Sequence, residues 1–318
     1  MRYLGGRLFQ ALIVLLAMSF VIYGLIGLMP GDPVDLMISA DPRMTSEDAA
    51  RLRAIYGLDQ PLADRWAAWL GAALSGDLGW SRLQAQPVLD ALTPALGETA
   101  VLMGVSLALT IALALPAGIA AARRPHSALD RAVGLLAFLG ISTPPFWLAL
   151  LLIIAFAVHL GILPAGGAGI GGGVLDQLRH LVLPVLALTL AGVGGYVRYV
   201  RAAMLETLGR DWIRTARAKG VGERRLLLHH ALRPAMVPVI TLIGIDFGTL
   251  FSGALVVETV FARPGMGRLI YDAILGNDYN LALAALMLAT FVTLLGNLLA
   301  DLGLVLLDRR LRLGEGAP

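Results

Sequence analysis

The stretch AVGLLAFLGISTPPFWLALLLIIAFAV, Ala132 to Val158, holds no charged side chain. About 20 such residues suffice for an α-helix to cross roughly 30 Å of hydrocarbon, so this stretch reads as a membrane span. Within it, Ser142-Thr143-Pro144-Pro145 reads as a helix break, because proline disfavours helical geometry at the residue before it. Working outward, five more apolar blocks appear: Leu8 to Met29, Thr99 to Ala122, Leu181 to Val197, Ala235 to Val260 and Leu281 to Leu307. The fourth span has soft borders, starting near Pro184 and running into Arg198 and Arg201. Six spans are expected, with both termini on one side.

The composition agrees. The chain is 58% hydrophobic and only 15% charged. A water-soluble surface cannot be built from that balance. The first block follows Arg2 and Arg7, and no small-x-small cleavage site ends it. It also exceeds the roughly 7 to 15 residue core of a secretory signal, so it is expected to remain as an anchor. The absence of cysteine excludes disulfides, iron–sulfur ligation, thiolate zinc and cysteine nucleophiles.

Basic residues set the expected orientation. Arg2, Arg7, Arg123, Arg124, Arg131, the nine from Arg198 to Arg233, and Arg309, Arg310 and Arg312 lie on the side of the termini, 17 in all. The opposite side holds 8: Arg43, Arg51, Arg53, Arg65, Arg82, Arg179, Arg263 and Arg268. Both termini are therefore expected in the cytoplasm. The layout is then residues 1–29 as the N-terminus and first span, 30–98 as an external helical region, 99–307 as spans two to six with a cytoplasmic loop at 206–234, and 308–318 as a cytoplasmic tail.

In the external region Thr45 and Asp48 have the spacing of a capping box, and Gly57 is placed to end that helix. Pro61 suits a first helical turn, after which Leu62, Trp66, Trp69 and Leu70 share a face expected to pack on the membrane domain or lie at the lipid interface; a receptor-docking role is the alternative. Ala165 to Gly173 holds six glycines in nine residues and reads as a flexible external loop, not a phosphate cradle.

Catalytic signatures are missing. There is no H-E-x-x-H, and His229 and His230 have no carboxylate beside them. Adjacent residues point about 100° apart on a helix, so no metal site is expected there. No G-x-S-x-G elbow occurs. The sole lysine, Lys219, is followed by Gly220, so the chain cannot be its own P-loop ATPase. No catalytic residue, no cofactor bound by this chain and no nucleic-acid partner are expected.

The stretch ETLGRDWIRTARAKGVGERRLLLHHALRP, Glu206 to Pro234, mixes arginines with small residues. Two short helices fit it: one from Asp211 over Trp212 to Lys219, a break at Gly220 and Gly222, and a second opening at Glu223. Ala216 and Ala218 keep the first helix thin, while Arg214, Arg217 and Lys219 charge it, so its tip suits a groove. A loop that merely fixes topology would explain the charges but not the small residues.

The string D-W-I-R-T-A-R-A-K-G from Asp211 to Gly220, with the E-R-R-L-L-L-H-H-A-L-R-P run from Glu223, resembles the dipeptide, oligopeptide and nickel branch of the binding-protein-dependent ABC transporter permeases. The general family pattern has Glu-Ala-Ala where this chain has Arg214, Thr215 and Ala216, a departure that matches this branch. Pro30-Gly31-Asp32-Pro33, Tyr56 to Pro61, Gly76-Asp77-Leu78-Gly79, Glu258 to Phe261 and Pro264-Gly265-Met266-Gly267 are similar as well. The resemblance implies the type I importer permease fold and a half-pore paired with a homologous second permease, two ATP-binding cassette subunits that bind the ATP, and an external solute-binding protein. It makes Asp211, Arg214, Thr215, Ala216, Arg217, Lys219, Gly220 and Glu223 the candidate ATPase-coupling loop. Dipeptide, oligopeptide, nickel and glutathione stay open as solutes.

Asp246 falls midway along the fifth span. A carboxylate there costs about 2.5 to 3.5 kcal/mol on insertion scales and should face protein or water rather than lipid. Family members commonly carry an amide at this place, so the acid could favour cationic solutes; a structural pair in the subunit interface is the alternative. Glu258, with Pro264 and Gly265, is a candidate for the external gate, with a helix-end hydrogen bond as the alternative for Glu258. Asp301 is expected to meet the headgroup region or Arg309. A reading from another class, a self-sufficient secondary transporter or channel using Asp246 and Asp301, would need inverted repeats, and no convincing repeat is visible.

Overall fold

A computed structural model of the chain describes residues 2–28, 59–169 and 171–307, together with 45, 47, 48, 51 and 54. The proposed helix end at Gly57, the motifs at Pro30–Pro33 and Tyr56–Leu58, and Arg309, Arg310 and Arg312 lie outside them. In order the described elements are α1 (Arg2–Ile26), α2 (Leu62–Leu74), β1 (Trp80–Ser81), β2 (Gln86–Pro87), α3 (Val88–Arg123), α4 (Ala128–Ser142) and α5 (Pro145–Leu152, running on as a π-helical stretch Ile153–His159). Then follow α6 (Gly173–Leu208), α7 (Asp211–Ala218), α8, α9 (Met266–Leu275) and α10 (Tyr279–Leu307); α8 opens at Glu223–Arg225, passes through a π-helical stretch Leu226–Ala231 and continues as Leu232–Val260.

Five of these helices are long and apolar enough to cross a membrane, and a bent pair makes a sixth span if counted as one. That pair is the third span, and it breaks at the expected Ser142–Pro145: α4 and α5 meet at 98°. The cause is local. Thr143 and Pro144 each precede a proline, which drives both into extended geometry. Thr143 lies at φ −98°, ψ 121°. Pro144 lies at φ −60°, ψ 138°, and Pro145 starts the next helix at its first position. The fourth span grows from the expected Leu181–Val197 to the 36 residues of α6, with Pro184 inside it. At about 1.5 Å of rise per residue, α6 far exceeds the thickness of the hydrocarbon layer and projects beyond it. The only strands among the described residues form a two-residue antiparallel hairpin, Trp80 opposite Pro87.

Helices α3 and α6 run parallel in a fixed register. Thr189 Oγ1 reaches Ser106 O at 3.4 Å, Gly192 sits against Thr110, and Gly118 against Val200. A Cβ on Gly118 would stand 2.7 Å from two Val200 side-chain atoms, so this crossing needs glycine. Two apolar cores lie at opposite ends. One gathers α1, the start of α3, α9 and α10 around Leu92, Met266 and Leu281; the other gathers the ends of α3 and α6 with α4, α7 and the start of α8 around Met204, Ile213 and Leu226. Each fully buried side chain of this size contributes about 1.5–3 kcal/mol relative to exposure.

The tryptophan stripe of α2 packs on the first helix. Trp66 Nε1–H donates to Ser19 Oγ at 3.1 Å and its ring meets Phe20 edge to face at 5.4 Å, while Trp69 lies 6.0 Å from the Tyr23 ring. The capping box also forms, reciprocally as such boxes do. Thr45 N–H donates to Asp48 Oδ2 at 3.0 Å and Asp48 N–H to Thr45 Oγ1 at 3.2 Å. The Thr45 hydroxyl bond, with the backbone N–H, holds the Asp48 carboxyl below its ordinary range.

The glycine-rich loop is more specified than a flexible tether. Gly167 sits at φ +95°, a region that glycine enters freely. Its N–H donates to Phe261 O at 2.7 Å. A Cβ on Gly166 would lie 2.6 Å from that same oxygen.

Candidate functional site

Helix α7 stands out from the body on one anchor. Ile213 is fully buried with Met204, Leu226 and Leu227, whereas Asp211, Trp212, Arg214, Thr215, Arg217, Ala218 and Lys219 are exposed and Ala216 is half-buried. Thr215 Oγ1–H donates back to Asp211 O at 3.0 Å, Arg214 pairs with Asp211 at 3.6 Å, and the Arg210 guanidinium lies 5.8 Å over the Trp212 ring.

The helix ends in a Schellman motif. Gly220 N–H bonds Arg217 O at 3.0 Å and Val221 N–H bonds Ala216 O at 3.2 Å, which puts Gly220 in left-handed geometry at φ +79°. A Cβ there would meet nothing within 4 Å, so glycine is needed for its backbone and not for packing inside this chain. Gly222, at φ −61°, has no such need. Glu223 accepts from Arg217 Nε at 2.9 Å, clamping the end of α7 to the start of α8. The expected second short helix is not separate, because Glu223 opens a helix continuous with the fifth span. His229 and His230 are both exposed on its π-helical stretch.

The candidate acids lie elsewhere. Asp246 on α8 accepts a hydrogen bond from Tyr196 on α6, a tyrosine that is itself buried. Glu258 is completely buried and accepts from the Thr99 hydroxyl and, at 3.2 Å, from Arg268 N–H in the first turn of α9. Gly265 is buried beside it, where a Cβ would overlap the Glu258 carboxyl group, and Pro264 is exposed. The helix-end hydrogen bond is thus present at Glu258, and with Gly265 it shapes the turn between α8 and α9. Asp301 pairs with Arg7 of α1 at 3.2 Å; Arg309, the side-chain partner expected for it, lies outside the described residues. The structure does not gather these acids with α7 into one site.

Several polar links had no counterpart in the sequence pattern. Arg263 pairs with Glu98, Asp278 accepts from Ser81 Oγ at 2.7 Å and Leu83 N–H at 2.9 Å, and Asp130 pairs with Arg201. Ser127 precedes Asp130 by three positions, the spacing already recognised at Thr45 and Asp48, but this marks the start of α4 and not the pairing with Arg201.

Residues 114–313 match the family described as binding-protein-dependent transport system inner membrane component, and residues 1–103 match the N-terminal part described for such membrane components. The chain belongs to this family. It is a multi-pass inner-membrane permease subunit of an importer, with the type I permease fold, and it works with partner subunits in a transport complex. It is 40% identical over 316 residues to a protein of Brucella suis biovar 1 named as a peptide permease, covering 98% of this chain and 99% of the relative. It is 35% identical over 313 residues to the oligopeptide transport system permease protein AppB of Bacillus subtilis, covering 97% and 98%. The family match decides against the self-sufficient transporter.

Proposed function

We propose that the permease forms half of the pore of an ATP-driven importer of peptides, delivered from outside by a solute-binding protein. A homologous second permease completes the pore, and two ATP-binding cassette subunits bind and hydrolyse ATP; this chain is not itself catalytic and binds no cofactor. The observation that carries the reading is α7: a charged, exposed helix, held by one buried isoleucine and closed by a left-handed glycine, has the form of an element that seats in another protein. Closure of the ATPases would push on α7 and shift the spans between inward-open and outward-open states. The names of the relatives support peptides over nickel or glutathione. The 17 to 8 distribution of basic residues supports cytoplasmic termini, which puts α7 in the cytoplasm with the ATPases.

Reconstitution tests this directly. Vesicles containing the permease, its second permease and both ATPases should take up labelled peptide only with ATP inside and binding protein outside. Uptake that persists without the ATPases would refute the reading.

A further inference from the structure

Helices α4 and α6 form an antiparallel seam with three fixed points. Asp130 binds Arg201 through both oxygens, Nε to Oδ1 at 2.5 Å and Nη2 to Oδ2 at 2.8 Å. Seven residues on from Asp130 and seven back from Arg201, a Cβ on Gly194 would overlap Ala137 O. Near the far end, a Cβ on Gly140 would stand 2.8 Å from Leu190 O. The last two are close backbone approaches that need glycine and so hold the helices in this register, but only by steric fit. The ion pair is different, because a planar guanidinium fork on a carboxylate is a directional bond that also resists separation.

Its placement gives this consequence. Arg201 lies two turns before the end of α6 at Leu208, and only Gly209 and Arg210 separate that end from α7. Asp130 sits in the first turn of α4, where Ser127 Oγ accepts its N–H at 3.2 Å and His126 N–H donates to Oδ2 at 2.8 Å. The carboxylate is thus fixed to the start of α4 and, with 7% side-chain exposure, has little competition from water. At its other end α4 turns through 98° into α5, which packs through Ala149 in one apolar cluster with Leu183, Ala187 and Val257.

We propose that the Asp130–Arg201 pair is the link through which displacement of α7 reaches the bent pair α4–α5, making both residues positioning residues for coupling. The inference rests on α7 being the ATPase contact. A brace needed only for folding would give the same contacts, so the test must follow motion as well as stability.

The chain has no cysteine, which allows spin labels at introduced positions in the assembled complex with cysteine-free partners. One pair joins Arg210→Cys, just before α7 and away from its thin tip, to a reference at Leu74→Cys; the other joins Leu136→Cys on α4 to the same reference. All three sites are exposed. In the parent complex both distances should change on trapping ATP. In Asp130→Asn the Arg210 distance should still change while the Leu136 change is lost, uptake should fall at least tenfold, and the ATPases should still co-purify. Arg201→Lys, which keeps the charge but not the fork, should behave alike, and the exchange D130R/R201D should restore part of the Leu136 response. A Leu136 change that survives in Asp130→Asn overturns the inference alone. So does loss of assembly in both single variants, which would make the pair a folding brace. A parent complex in which the Arg210 distance never changes overturns the coupling reading and this inference with it.

Discussion

Thr99 on α3 donates its hydroxyl to the carboxylate of Glu258, 159 positions later at the end of α8, and accepts the N–H of Met266 at 2.8 Å. One hydroxyl thereby joins three helices. The carboxylate also faces the first turn of α9, where unpaired N–H groups and the helix dipole favour negative charge. Glu98, next to Thr99 on α3, pairs with Arg263 in the turn between α8 and α9. Two consecutive residues of α3 therefore hold the α8–α9 turn.

Glu258→Ala should be costly, because it leaves the Thr99 hydroxyl and the Arg268 N–H without their buried acceptor. A loss of about 2 kcal/mol is expected, on the order of 5 °C in Tm. Gly265→Ala should be comparably damaging, since its methyl carbon would need the space of the Glu258 carboxyl group. Thermal unfolding of detergent-purified variants checks both, and a Tm unchanged in Glu258→Ala would show that the carboxylate is not holding the turn.

The fold is legible in the sequence where the physics is local. Apolar length reports each span, and the left-handed end at Gly220 and the cap at Thr45 and Asp48 follow from residue type and spacing. Even the bend is half visible: Pro144 and Pro145 mark a break, but a sequence has no direction in space and cannot supply the 98° between α4 and α5. The polar links are hidden for another reason. Nothing near Thr99 points to Glu258, nor near Arg7 to Asp301, because such pairs exist only once helices far apart in sequence are packed. Asp211 to Gly220 is legible as a capped, charged helix, whereas its reliance on Ile213 depends on a pocket built from α6 and α8.

Asp246 and Tyr196 tie α8 to α6 near mid-span. If this acid contacts the solute path, Asp246→Asn should lower uptake of cationic peptides relative to neutral ones by about tenfold, the ratio that about 1.4 kcal/mol corresponds to. Competitive uptake of matched lysine- and glutamine-containing peptides measures that ratio. Equal losses for both would assign Asp246 to helix packing alone.

The orientation rests on basic residues and can be checked without transport. Reporter fusions after Gly57 and Gly167 should read outside, and those after Arg124, Glu223 and Arg310 inside. An inside signal at Gly167 would reverse the whole arrangement, because that residue is bonded to Phe261 at the end of α8 and the two must share a side.

Gly220 separates the backbone requirement of α7 from its proposed contact with the ATPase. An L-residue forced into left-handed helical geometry pays a steric cost of roughly 1–2 kcal/mol. Within this chain that cost is all a side chain at Gly220 incurs, since its Cβ would meet open space. Gly220→Ala should therefore fray the end of α7 and leave transport reduced but measurable. Gly220→Trp carries the same backbone cost and adds an indole where a partner groove would close on the helix tip. It should leave insertion and expression intact while abolishing uptake and co-purification of the ATPases. Arg124→Ala, in the loop before α4, is the control and should do little. Uptake assays on the reconstituted complex, with co-purification from detergent extracts, rank the three variants. Equal uptake in the alanine and tryptophan variants would mean that nothing closes on Gly220, and the docking role of α7 would fall.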